Sequence, residues 1–145
     1  GLLETSNISV GRGTDTPFDV VGAPWIDGRE LAAALQARNL PGVTFIPIEF
    51  TPDSSKYANE SCGGINIAIT DRGAFDPLRT GIEIAAQLRR LYPGQWEAKS
   101  IQRLLGNEAT LAALMAGKSA EEILDITREG LNEYGRRRAK YLLYE

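Results

Sequence analysis

The chain of 145 residues contains no histidine, one cysteine and one methionine. Each shortage removes a class of chemistry. Without histidine, this chain cannot assemble a Ser-His or Cys-His nucleophile system, nor the usual zinc ligand sets, and no metal site is expected. A single Cys62 cannot close an internal disulfide. No apolar run approaches the roughly 18–20 residues of a membrane-spanning helix, so membrane insertion is not expected. Net charge is small as well. Sixteen Lys and Arg against 19 Asp and Glu leave a net charge of −3, which gives no electrostatic case for nucleic acid. The Arg136-Arg-Arg-Ala-Lys140 cluster does not change this, because cations in a last helical turn oppose the negative end of the dipole.

What is present fits one domain with a real core. Apolar residues make up 43% and charged residues 24%, and a domain near this size buries roughly two-thirds of its unfolded surface. The chain opens with neither an initiator Met nor a signal peptide, inside its most polar stretch. It is therefore expected to be a piece of a longer protein.

That opening stretch, Gly1-Leu-Leu-Glu-Thr-Ser-Asn-Ile-Ser-Val-Gly-Arg-Gly-Thr14, is the first candidate site. It holds a carboxylate (Glu4), an amide (Asn7), a guanidinium (Arg12) and four hydroxyls (Thr5, Ser6, Ser9, Thr14). Such a run buries little apolar surface but can converge donors and acceptors on a polyhydroxylated or anionic ligand. The competing reading is a solvated loop in which Gly11 and Gly13 supply positive φ. A dinucleotide loop is a weak match, since a strong preceding strand, a third glycine and a following helix are missing.

Along the chain, residues 18–21 read as a short strand stopped by Gly22 and Pro24. Trp25 is either a core anchor or a sugar-stacking platform. Asp27 and Glu30 form a capping-box pattern for a helix over residues 28–38, ended by the turn at residues 39–42. Residues 43–51 read as a strand with Ile46, Ile48 and Phe50 on one face and Phe45 on the other; Pro47 makes it an edge or a bulged strand. Residues 62–71 alternate more cleanly, with Ile65, Ile67 and Ile69 inward. The ten-residue polar loop between these strands is longer than a hairpin needs and carries Lys56 and Tyr57. Lys56 reads by itself as a solvated cation.

The remainder is helical. Asp76-Pro77 starts a helix with Leu78, Ile82, Ala85, Leu88 and Leu91 in its stripe, stopping before Tyr92-Pro93-Gly94. A short helix over residues 100–105 and another over 108–116, with Gly117 as C-cap, lead to the longest helix. Ser119 and Glu122 box its start, and Ile123, Ile126, Thr127, Leu131 and Tyr134 face inward. Two strands without a crossover helix between them pair antiparallel. The fold class is therefore α+β: a small antiparallel or mixed sheet, helices packed against it, and a helical C-terminal half, with the Asp76 and Ser119 helices on one sheet face.

The strings Leu2 to Thr14, Pro17-Phe18, Gly22-Ala-Pro-Trp25, Phe50-Thr-Pro, Ser55-Lys56, Cys62-Gly-Gly, Thr80-Gly81 and Tyr141-Leu-Leu-Tyr144 resemble the C-terminal domain of the NamZ-type exo-β-N-acetylmuramidases. The resemblance covers essentially the whole chain. It implies a glycoside hydrolase that removes N-acetylmuramic acid (MurNAc) from non-reducing ends of peptidoglycan fragments, without a cofactor, in a periplasmic or secreted setting. It also implies a larger Rossmann-like N-terminal domain as partner, a cleft between the two domains, and at least one catalytic carboxylate in that other domain. The MurNAc lactyl carboxylate suits a planar guanidinium, which makes Arg12 the first binding candidate and Lys56 the second. Asn7, Ser9 and Thr14 are candidates for sugar hydroxyls or the acetamido group. Glu4 is the local candidate for an acid/base or substrate-orienting carboxylate, against an ion pair with Arg12 that shapes the loop. The isolated piece is expected to be inactive. A non-catalytic carbohydrate-binding or interaction module is the alternative.

Overall fold

The computed structural model describes residues 2–98, 107–139 and 141. Three strands, β1 (Val20–Ala23), β2 (Val43–Phe50) and β3 (Cys62–Ile69), form one sheet in the order β1-β3-β2. Both pairings are antiparallel, and for β2 and β3 this is what two strands joined by a loop rather than a crossover require. β2 is an edge strand, which is where Pro47 can sit without removing an interior ladder donor. On β1 the free edge is met by Ser9, which forms an isolated bridge with Gly22 through N–H donors at 2.8 and 3.0 Å. The polar opening stretch is thereby fastened to the sheet.

β1 lies two residues later than the sequence pattern indicates. Phe18 sits at φ 72°, outside strand geometry. Gly22, read as a stop, instead pairs with Gly64. A Cβ there would lie 2.5 Å from the Gly63 carbonyl and 2.6 Å from the Phe50 ring, so glycine serves close approach and not termination.

Helix α1 (Gly28–Gln36) is the helix laid on the sheet, with Leu31, Ala32 and Leu35 buried. It runs from Gly28, which crowds Gly64, to Gln36, whose side chain donates to the Phe45 carbonyl at 3.0 Å. Phe45, Ile65, Val21 and Ala23 form the sheet side of the core. Ile69 shares the parity of Ile65 yet is 46% exposed. It pairs with Val43, past the level that α1 covers, so alternation alone overstated its burial.

Helix α2 (Pro77–Leu91) packs on α1, and α3 (Glu108–Met115) and α4 (Ala120–Ala139) pack on α2. The expected position of the Asp76 and Ser119 helices on the sheet face is thus corrected: α1 occupies that face, and they form the next layer. Because α2 is sandwiched, Glu83, Ile84 and Gln87 are buried along with Ile82, Ala85 and Leu88, while Leu78 at its first turn is exposed. Gly117 at φ 75° ends α3, with the Lys118 N–H donating to Ala113. The Ser119–Glu122 box forms as expected. Tyr134, expected inward, is 57% exposed. α3 begins beside Gly130, so among the described residues α4 has no α3 beneath it further on. The helix expected over residues 100–105, the Leu131 side chain and residues 142–144 of the closing Tyr-Leu-Leu-Tyr string lie outside the described residues.

Candidate functional site

The opening stretch curls into a set of turns in which hydroxyls serve the backbone. Ser6 Oγ donates to the Leu3 carbonyl at 2.8 Å, Thr14 Oγ1 donates to the Gly11 carbonyl at 2.7 Å, and Ser9 Oγ accepts from the Gly11 N–H at 3.2 Å. Thr5 Oγ1 is buried without a partner among the described residues. Asn7 turns away from the stretch: its amide donates to the Gln95 carbonyl at 2.7 Å and its Oδ1 accepts from the Glu97 N–H at 2.8 Å. Asn7 therefore acts here as a staple between segments, while Thr14 closes a local turn within the stretch.

Glu4, Arg12 and Lys56 do come together. With Ile8, Ser9, Val10 and Ser55 they line an open cavity of about 220 Å³. Arg12 donates to the Glu4 carboxylate, and its guanidinium lies 4.9 Å over the exposed Phe18 ring. The Arg12 hydrogen bond and charge hold the Glu4 carboxyl below the usual range, so Glu4 is ionised near neutral pH. Lys56 is exposed as a residue, but its ammonium turns inward and donates to the Glu4 carbonyl at 2.9 Å and to the Ser6 carbonyl. Burial of that ammonium pulls its pKa below the lysine range, and the Glu4 charge partly restores it.

The loop carrying Lys56 is held in unusual geometry. Ser55, Tyr57 and Asn59 all take positive φ, between 61° and 70°. Non-glycine residues adopt that region sparingly, and such strain persists where the surroundings over-determine it. Here the Asp53 N–H donates to the Gly13 carbonyl at 2.8 Å and Tyr57 Oη donates to the Asn7 carbonyl at 2.6 Å. Trp25 Nε1 reaches Tyr57 Oη at 3.4 Å, which ties the stretch to a second concavity. This larger cleft, about 800 Å³, opens at the start of α1 and is lined by Trp25, Asp27, Arg29, Ile48 and Glu49 among others. Trp25 is half-buried, packs edge-on against Tyr92 with ring centroids 5.4 Å apart, and also borders the cleft. Both readings of this residue thus have a physical basis: it anchors the core and presents an aromatic surface.

Residues 1–144 match the family described as the C-terminal domain of exo-β-N-acetylmuramidase NamZ. The chain belongs to that family. Within it, the chain is 38% identical over 147 residues to the peptidoglycan β-N-acetylmuramidase NamZ of Bacillus subtilis (strain 168), covering 99% of this chain and 36% of that protein. Two crystal structures of DUF1343 family proteins from Bacteroides fragilis share its fold. One superposes with a TM-score of 0.74 at 22% identity, over all of this chain and 40% of the other. The second gives 0.61 at 25% identity, over 99% of this chain and 38% of the other. The chain thus spans well under half the length of these relatives.

In this NamZ C-terminal domain, sequence reasoning missed Glu49 and Tyr92. The β2–β3 register sets Glu49 opposite Gly63, and the α1–sheet packing turns that edge into a cleft wall. Tyr92 is 6% exposed; its hydroxyl accepts from the Asp27 N–H at 3.1 Å and donates to the Asp27 carbonyl or Glu30 at 3.2–3.3 Å. Burial first, then the neighbouring carboxylates, push its pKa up to about 12. The folded state therefore keeps a proton that the unfolded chain loses near pH 10. Stability from this group is complete below pH 10 and declines as pH rises from about 10 to 12. Melting temperatures across that window should fall for the wild type and fall less steeply for Tyr92→Phe. Equal slopes would contradict the assignment.

Proposed function

We propose that this domain supplies one wall of the substrate cleft of a glycoside hydrolase that removes MurNAc from non-reducing ends of peptidoglycan fragments. In this reading the other wall is a Rossmann-like domain elsewhere in the longer protein, and the reaction takes place in the periplasm or outside the cell, where such fragments arise. The observation that carries it is the convergence of Arg12, Glu4 and Lys56 on one cavity in a chain of this family. A half-exposed guanidinium lying over an aromatic ring suits the planar lactyl carboxylate that distinguishes MurNAc.

Glu4 fits a narrower role than general acid. A carboxyl held ionised by Arg12 does not protonate a leaving oxygen at neutral pH. It can orient the substrate or stabilise developing positive charge, so the proton donor belongs to the other wall. Asn7 and Thr14 support the loop that presents Arg12, and Ser9 fastens it to β1.

The test is direct. The 145-residue chain alone should release no MurNAc from a chromogenic substrate, while the longer protein should. Turnover by the chain alone above that of its Glu4→Gln variant would overturn the half-site reading. Sugar binding by the chain together with an inactive longer protein would instead identify a non-catalytic carbohydrate-binding module.

A further inference from the structure

A third concavity lies far from the opening stretch in the chain, where the end of α1, the Glu83–Gln87–Arg90 face of α2 and the α3–α4 turn meet. Its volume is about 360 Å³, and Arg38, Arg89, Arg90 and Lys118 line it with Glu83 and Gln87. Four cations against one carboxylate give this lining a charge of +3, within a chain whose net charge is −3. The sequence explains the convergence in part: Glu83, Ala86, Gln87 and Arg90 recur at helical spacing and share one face of α2.

The way the arginines are held is more informative than their number. Arg38 approaches the buried Glu83 carboxylate through Nε at 2.6 Å. Arg90 donates through Nε to Gln87 Oε1 at 2.9 Å, and Arg89 donates through Nε to the Met115 carbonyl at 3.3 Å. Gln87 is itself fixed, donating to Glu83 Oε1 at 3.2 Å. For Arg89 and Arg90 no hydrogen bond of the Nη atoms is seen among the described residues. The Arg89 and Arg90 guanidiniums are thus anchored by their inner nitrogens, with outer forks that meet no partner among the described residues. Complementing helix C-termini accounts for the positive charges, but it does not require that they line a shared concavity.

We propose that this cavity is a binding site for a compact oxyanion with two or more negative charges, a phosphate ester or a polycarboxylate. Pre-anchored guanidinium forks match such ligands bidentately, and Lys118, whose ammonium is 3.6 Å from Glu122, adds a movable point charge. The site is built from α1, α2 and the α3–α4 turn, so it does not depend on the Glu4–Arg12–Lys56 cavity.

The experiment titrates the 145-residue chain with sodium phosphate in one arm and sodium citrate in the other, at ionic strength held constant with sodium chloride. Calorimetry should show saturable binding of at least one probe, with a rise in melting temperature. The Arg89→Gln/Arg90→Gln double variant should bind about tenfold more weakly or worse, the loss expected for charge-assisted bonds. Preference for phosphate points to a phosphate ester, and preference for citrate to a polycarboxylate. Absence of saturable binding beyond the chloride control overturns the proposal, as does undiminished affinity in a double variant with unchanged circular dichroism. If that variant does not fold, Lys118→Gln carries the test: weaker binding supports the site and equal binding overturns it.

Discussion

Gly64→Ala should abolish the fold or cost about 3 kcal/mol or more, the range where overpacking becomes severe. β3 is the central strand, and a Cβ on Gly64 would stand 2.2 Å from the Val21 carbonyl oxygen and 2.8 Å from Gly22 Cα. Both obstacles are backbone atoms of the paired strand β1, so no rotamer change relieves the clash. Gly22 and Gly64 face each other in register, and Ser9 binds the other side of Gly22. Displacing β1 would therefore also release the segment that presents Glu4 and Arg12. Gly94→Ala is the matched control, since a Cβ there meets nothing within 4 Å and should change stability by less than about 0.5 kcal/mol. Chemical denaturation of the two variants decides the matter. Equal stabilities would mean that the sheet can open at Gly64, contrary to the packing.

Arg12→Lys should lower kcat/KM of the longer enzyme on MurNAc substrates by roughly ten- to a hundredfold. That is the kinetic equivalent of losing a charge-assisted bond, about 1.5–3 kcal/mol. A lysine keeps the charge but loses the planar fork that a lactyl carboxylate needs. Substrates with N-acetylglucosamine in place of MurNAc lack the lactyl group and should be affected far less. Stability should change little, because the Arg12–Glu4 pair is open to solvent, with side chains 51% and 34% exposed, and solvent screens such pairs. A purely loop-shaping Arg12 predicts otherwise: equal losses on both sugars and a lowered melting temperature. That result would retire the clamp.

The elements themselves were legible wherever local chemistry decides them. Asp27 and Asp76 cap α1 and α2 as their spacing indicates, because an N-cap oxygen needs only N–H groups two and three residues on. Pro47 marked an edge or a bulge, and β2 is an edge, where a missing donor is tolerated. Gly22 misled because glycine has two uses, freedom to turn and freedom from a side chain, and sequence does not say which applies. Ile69 and Tyr134 misled because periodicity gives a face, while burial depends on how far the neighbouring element extends. The candidate site was legible only as an inventory. Arg12 beside Glu4 was one of the two readings weighed, but nothing local places Lys56 against carbonyls some fifty residues away, as the structure does.

By itself the sequence determined the α+β class, the antiparallel relation of β2 and β3, the absence of histidine-dependent chemistry and the polar character of the opening stretch. These follow from residue type and short-range spacing, which act within one element. Only the tertiary structure decided that α1, not α2, covers the sheet, that Ser9 fastens the stretch to β1, and that Asn7 points to Gln95 and Glu97. It also decided that the arginines at the end of α1 and α2 converge on one cavity. The physical reason is common to all of these. Each depends on which distant surfaces pack together, and that is set by the summed burial of the whole core and not by the preferences of the residues that end up in contact.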